Sequence, residues 1–189
     1  MSIHTDTFKQ NYKSVTGSLT AYQWIGIKTI IEAWERCDYL TDLRQLAYIL
    51  ATIKHETANT FRPIEEYGKG KGRPYYNEVN GHRYYGRGYV QLTWFENYKR
   101  MTKRLNDAGI QCDLVNNPEQ ALEWNIATQI TFIGMSEGLF TGKKLSDYFN
   151  QYDENPVEAR KIINGKDKAK LIAGYYYEFR KALDESRNA

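Results

Sequence analysis

Cysteine is scarce in this chain. Cys37 and Cys112 are the only two in 189 residues. That excludes the disulfide framework that staples small secreted domains. Neither cysteine has a paired spacing that would hold zinc, so folding in a reducing cytosol is expected. Long apolar runs are also missing. No stretch approaches the length of a membrane span, and Met1 to Ser14 lacks the apolar segment a secretion signal needs. Repeats, low-complexity tracts and linkers are absent. A single domain over residues 1–189 is the expectation, long enough to bury a real core.

What the chain does hold is unevenly placed. Apolar residues make up 41%, enough to fold, and the net charge is only +3. Yet residues 68–104 carry nine Lys or Arg against two Glu. Such a stretch suits a polyanionic partner (a cell-wall polymer, nucleic acid or a membrane surface), or is simply a solvated basic face. Seven of the sixteen tyrosines lie between Tyr67 and Tyr98. Sugar rings pack their C–H faces on aromatic rings while phenol hydroxyls reach sugar oxygens. About half of these tyrosines are expected to be structural.

Thr20 can cap a helix over Ala21 to Cys37, with Trp24, Ile27, Ile31 and Trp34 at three- and four-residue steps. Thr41 with Asp42 can start a second helix. Its stripe of Leu43, Leu46, Ala47, Leu50 and Ile53 runs out at His55-Glu56-Thr57, before Phe61-Arg62-Pro63. From Ala58 to Gly88 no helical period exists, and five loop-forming Gly or Pro between Gly68 and Gly81 mark a long loop with room for a short hairpin. Loops of that length in a compact domain are usually functional. Thr93 reads as the cap of a helix to Leu105. Asn117-Pro118 reads as the start of one long helix to Glu137, and Asn155-Pro156 as the start of a short one closed by Asn164-Gly165. Lys168 to Asp184 makes a final helix. The fold class is therefore mainly α, an α+β arrangement with a small irregular or hairpin element.

Glu56 is the leading chemical candidate. It lies three residues after Ile53, near the buried face, at a helix C-terminus. Desolvation and the negative end of the helix dipole both oppose its ionisation, which is what a general acid needs. Cleavage of a glycosidic bond needs a second carboxylate, and Glu65, Glu66, Glu78 and Glu96 all lie downstream. Glu65 is favoured, with Glu78 as its rival. His55-Glu56 lacks the second histidine of a zinc protease, since position 59 is Asn. Gly68 to Gly72 lacks the ending of a phosphate loop, and no Gly-x-Ser-x-Gly elbow supports a serine nucleophile.

Longer motifs carry a resemblance. His55-Glu56-Thr57, Tyr84 through Thr93 (Tyr-Tyr-Gly-Arg-Gly-Tyr-Val-Gln-Leu-Thr), Asn97-Tyr98 and Ile162-Ile163-Asn164-Gly165 together resemble the family 19 glycoside hydrolases. That family includes plant-type chitinases and the endolysins of bacteriophages. The resemblance covers residues 45–165 and implies a lysozyme-like α+β fold with the small β element beside an active-site groove. It implies that Glu56 is the general acid. It places Tyr85, Gln91, Thr93 and Asn97 along the sugar and water site, with Asn164 as a substrate contact or structural hydrogen bond. A second acid nine residues after the first, as in many phage members, falls on Glu65. The longer plant interval fits Glu78 better. Ala58-Asn59 stands where Gly-Gly is usual, and Tyr89-Val90 where Pro-Ile is usual in chitinases.

These departures, and the lack of the disulfides plant members carry, favour peptidoglycan over chitin. The expected protein is an endolysin that cleaves β-1,4 bonds between N-acetylated sugars with inversion. Glu56 would be the acid, with Glu65 activating water held by Thr93 and Asn97. It would need no metal or cofactor, bind peptidoglycan rather than nucleic acid, act as a monomer, insert into no membrane and carry no separate wall-binding domain. Made in a host cytoplasm without a signal peptide, it would reach the wall after release by another agent. A chitinase is the alternative within enzymes. A non-catalytic wall- or nucleic-acid-binding module is the alternative outside them, since aromatic and Arg side chains also stack on bases.

Overall fold

The structure is a computed structural model that describes residues 2–187. Met1, Asn188 and Ala189, which the expected 1–189 domain includes, lie outside the described residues. Six α-helices and a two-stranded antiparallel sheet are present among them. No described helix is long and apolar enough to cross a membrane. Contacts divide the chain into two compact units. The first comprises the residues up to Phe61 and those from Met135 onward, and the second is Arg62–Gly134.

The first unit is built around α3 (Leu43–Glu56). Asp42 caps it, its carboxylate accepting from the Arg44 N–H at 2.8 Å. Leu46 through Ile53 are buried without a break, so α3 is a central helix rather than the one-striped helix its sequence predicts. It packs on α6 (Ala169–Asp184), which also receives α1 (Thr5–Thr16). Tyr12 stacks on Phe179 at 4.4 Å, and Tyr48 and Tyr176 flank Phe149 at 5.2 and 5.4 Å. α2 (Ala21–Glu35) covers α3 and opens with a reciprocal cap between Thr20 and Gln23. α1 has no counterpart in the sequence reading, because Phe8 and Tyr12 alone mark its buried face.

The second unit holds β1 (Ile64–Glu65), β2 (Arg87–Gly88) and α4 (Phe95–Asp107). Ile64 pairs with Gly88 and Glu65 with Arg87. α4 turns Tyr98, Met101 and Leu105 inward. Trp94, not Thr93, occupies the N-cap position, at φ 72°, and no side chain caps the helix. The single long helix expected after Asn117 is also absent. Pro118–Leu122 forms a 3-10 turn, Glu123 turns extended at ψ 132°, and α5 (Trp124–Glu137) starts afresh.

Candidate active site

In the first unit, Glu56 ends α3 with its side chain 17% exposed. Its Oε1 accepts from Arg160 Nη1 at 2.5 Å. Arg160 lies in a 3-10 turn, Glu158–Ile162, and its side chain is only 3% exposed. Its Nε donates to the Asp167 carbonyl at 3.0 Å, so the guanidinium is fixed on two sides. A guanidinium this deep needs such partners to offset its lost hydration. Burial and the helix end at Glu56 are legible in the sequence, whereas Arg160 is not. Its one sequence signal is a charge among Ala159, Ile162 and Ile163.

Tyr48, Thr52 and Glu56 stand at four-residue steps on one row of α3. Burial pushes the Tyr48 phenol far up, the Arg160 charge works against it and Glu56 adds to it. Tyr48 therefore stays a neutral phenol beside the ion pair.

The turn after Glu56 explains the rest of the His-Glu-Thr motif. Thr57 is fully buried; its hydroxyl donates to Ile53 O at 2.7 Å and accepts from the Phe61 N–H at 3.1 Å. Ala58, Asn59 and Phe61 all have positive φ, of 48°, 65° and 54°. A left-handed residue costs an L-amino acid roughly 1–2 kcal/mol. Gly-Gly, usual at positions 58 and 59 in the resembled family, would take that backbone freely. Gly26 of α2 admits the turn, since a Cβ there would meet Phe61 O at 2.2 Å.

In the second unit, Glu65 Oε1 accepts from the Tyr85 hydroxyl at 2.8 Å, and Lys69 Nζ lies 3.4 Å from Oε2. Burial pushes the Glu65 carboxyl up, but the Tyr85 hydrogen bond, Lys69 and Arg87 outweigh it, and the group sits below the ordinary carboxylate value. It is ionised near neutral pH. Glu66 differs. It accepts from the Tyr75 hydroxyl at 2.8 Å and the Gly86 N–H at 3.1 Å, pinning the loop. Glu78 lies apart, 54% exposed, against Arg83 at 2.9 Å beside the Val79–His82 bridge. Glu96 is exposed in the first turn of α4.

The Tyr-Gly-Arg-Gly segment is scaffold. Arg87, 2% exposed, lies 3.6 Å over the Tyr85 ring, donates to Arg83 O and the Tyr98 hydroxyl, and pairs with Glu119. Gly88, at φ 88°, leaves room for Ala121 O, which a Cβ would meet at 2.9 Å. Of the seven clustered tyrosines, Tyr84, Tyr85, Tyr89 and Tyr98 are buried, while Tyr67 is fully exposed. The basic stretch is likewise broken up. Arg87 is internal, and Lys69, Arg73, Arg83 and Lys103 each face a carboxylate.

The remaining residues fall into two groups. Gln91, at φ 55°, donates to Ile64 O at 3.2 Å and Gly88 O at 3.3 Å, which locks β1 to the turn after β2. Thr93 and Asn97 share one turn, Asn97 Nδ2 donating to Thr93 O at 2.9 Å. Glu65, Tyr85 and Gln91 are thus brought together around the sheet. Asn164 belongs to the first unit, exposed, with its N–H donating to Arg160 O at 2.9 Å.

No protein-family model matches the chain, and no curated protein matches its sequence. Solved structures do match. Chitinase C from Streptomyces griseus HUT6037 superposes with a TM-score of 0.64 at 20% identity, covering 95% of this chain and 78% of that one. A bacterial family 19 chitinase, described as differing from plant enzymes, gives 0.55 at 21% identity and covers 98% of both chains. The chain has the family 19 chitinase fold. The lysozyme-like α+β class expected from its motifs is the class observed.

Proposed function

We propose that the protein is a glycoside hydrolase acting on polymers of N-acetylated sugars, and that its natural substrate is peptidoglycan, cut at β-1,4 bonds in the manner of an endolysin. The observation that carries the reading is the Glu56 carboxyl, presented at the end of a buried helix and gripped through Oε1 by a buried arginine. The guanidinium orients one oxygen, and the other is the one proposed to face the leaving group.

Glu65 complements it. A base that activates water must be ionised, and the Tyr85 hydroxyl with Lys69 keeps Glu65 so. Glu78 is the weaker choice, because its carboxylate is exposed and spent on Arg83. Thr93 and Asn97 orient the water, and Tyr85 and Gln91 hold the Glu65 strand in place. No step of this single displacement calls for a metal or cofactor. The family 19 fold supports the reaction class, and the chitinases that share it favour chitin as a second reading. The chain is proposed to work as one catalytic domain and as a monomer, released to the wall by another agent.

Mass spectrometry of products tests the substrate. Purified wall and soluble chitin oligomers are digested side by side. Wall fragments ending in a free reducing sugar, formed faster than chitin products, are expected. Cleavage of chitin alone removes the peptidoglycan assignment, and binding without any new reducing end removes the enzyme.

A further inference from the structure

The first unit carries a concavity that the carboxylates do not use. A pocket of about 440 Å³ opens between the turn that bears Arg160 and the start of α6. That volume is within the usual range for small-ligand sites. Val157, Ala169 and Leu171 give it an apolar wall, and Lys166, Lys168 and Lys170 border it. Val157 is 37% and Leu171 45% exposed, so the wall is open to a partner.

Charge at the rim is unbalanced. Glu158 borders the pocket but already pairs with Lys161 and lies 4.0 Å from Lys166 Nζ. Lys168 and Lys170 have no carboxylate within 4.0 Å among the described residues. Asp167 is exposed between Lys166 and Lys168 in sequence and leaves the segment net positive. The loop is not independent of the chemistry either. Its Asp167 carbonyl is held by the guanidinium that grips Glu56.

We propose that this pocket binds the peptide stem of peptidoglycan, its alanine methyls on Val157, Ala169 and Leu171 and its carboxylates on Lys168 and Lys170. Charge complementarity selects this occupant. The stem alternates small apolar groups with free carboxylates. Chitin offers the lysines no anion, and a bare phosphate polymer offers the apolar wall nothing. The inference rests on the peptidoglycan reading above and extends it from the glycan to its side chain. Binding there would favour peptide-bearing strands over naked ones.

Two experiments decide it. The soluble tripeptide L-Ala-γ-D-Glu-diaminopimelate, titrated into isotope-labelled protein, should give saturable shifts at the amides of Ala169, Lys170 and Leu171. The Lys168→Gln/Lys170→Gln variant should bind roughly five- to ten-fold more weakly, an ordinary loss for two exposed charge contacts. Inorganic phosphate and chitin oligomers should leave those amides unmoved. No saturable shift, equal affinity in the variant, or the same shifts with phosphate overturns the proposal.

On intact wall the double variant should show a raised KM with kcat retained. On wall stripped of peptide by an amidase it should match the wild type. Loss on both substrates, or on neither, overturns the proposal. A wild type that cleaves no wall fails the peptidoglycan reading instead, and the tripeptide titration then still rules on the pocket.

Discussion

Glu56 and Glu65 stand nine residues apart in sequence and are supported in opposite ways. Glu56 ends a helix buried on all sides, and its partner Arg160 arrives from 104 residues away. Its position is set by long-range packing. Glu65 sits in a two-residue strand, and its partners Tyr85 and Lys69 come from the same loop system. Its ionisation is set by local hydrogen bonds and charges. Under the proposed roles the contrast separates two tasks: holding the proton donor still, and keeping the base charged.

The sharpest way to break the comparison is Glu56→Gln, which keeps the shape and removes the acid. Hydrolysis of purified wall should fall ~10²–10⁴-fold. The melting temperature should fall as well, since the amide oxygen still accepts from Arg160 but no longer neutralises its buried charge, so rates are compared where the variant stays folded. Lysis near the wild-type rate would end the assignment.

Gly26→Ala attacks the packing that positions Glu56 without touching it. A Cβ placed 2.2 Å from Phe61 O forces the turn to move, at an expected cost of about 3 kcal/mol. For a chain of this size that lowers Tm by roughly 10 °C. Wall hydrolysis should fall too, because Phe61 closes the turn after Glu56. A variant as stable as wild type would show that the turn yields freely.

The Glu65 side is tested by pH. As the proposed base, Glu65 works only when ionised, so activity should be lost as pH falls through its pKa, which lies below the ordinary carboxylate value. Tyr85→Phe removes a hydrogen bond to the charged form and should move the acid limb of kcat/KM to higher pH. The alkaline limb should stay in place. An unmoved acid limb would mean that Tyr85 does not tune the base.

Ala58→Gly carries the smallest effect. Relief of a left-handed alanine should raise stability by about 1 kcal/mol, read as the urea midpoint. A loss of stability would show that the φ of 48° is tolerated without strain.

How legible each region was in the sequence follows the same contrast. α2 and α3 were readable because their caps, Thr20 and Asp42, and their apolar spacing are local. The placing of Glu56 at a helix end came with them. Arg160 was not readable, because nothing local tells a surface arginine in a short turn from a buried one. α1 escaped because Phe8 and Tyr12 are too few to make a period. Residues 117–137 were read as one helix because the break at Glu123 is a backbone turn with no Gly or Pro to mark it. Arg87 was counted in a basic face, though the Tyr85 ring, Tyr98 and Glu119 hold it inside. Charge runs counted along a chain ignore which way each side chain turns.

Time-resolved NMR of the anomeric proton at the newly released reducing end tests the proposed pairing of Glu56 as proton donor with Glu65 as water-activating base most directly. Direct attack by water activated at Glu65 on a β-linked substrate gives the α-anomer first, with β appearing only by mutarotation. Immediate release of the β-anomer would mean retention, and Glu65 would not be acting as a water-activating base.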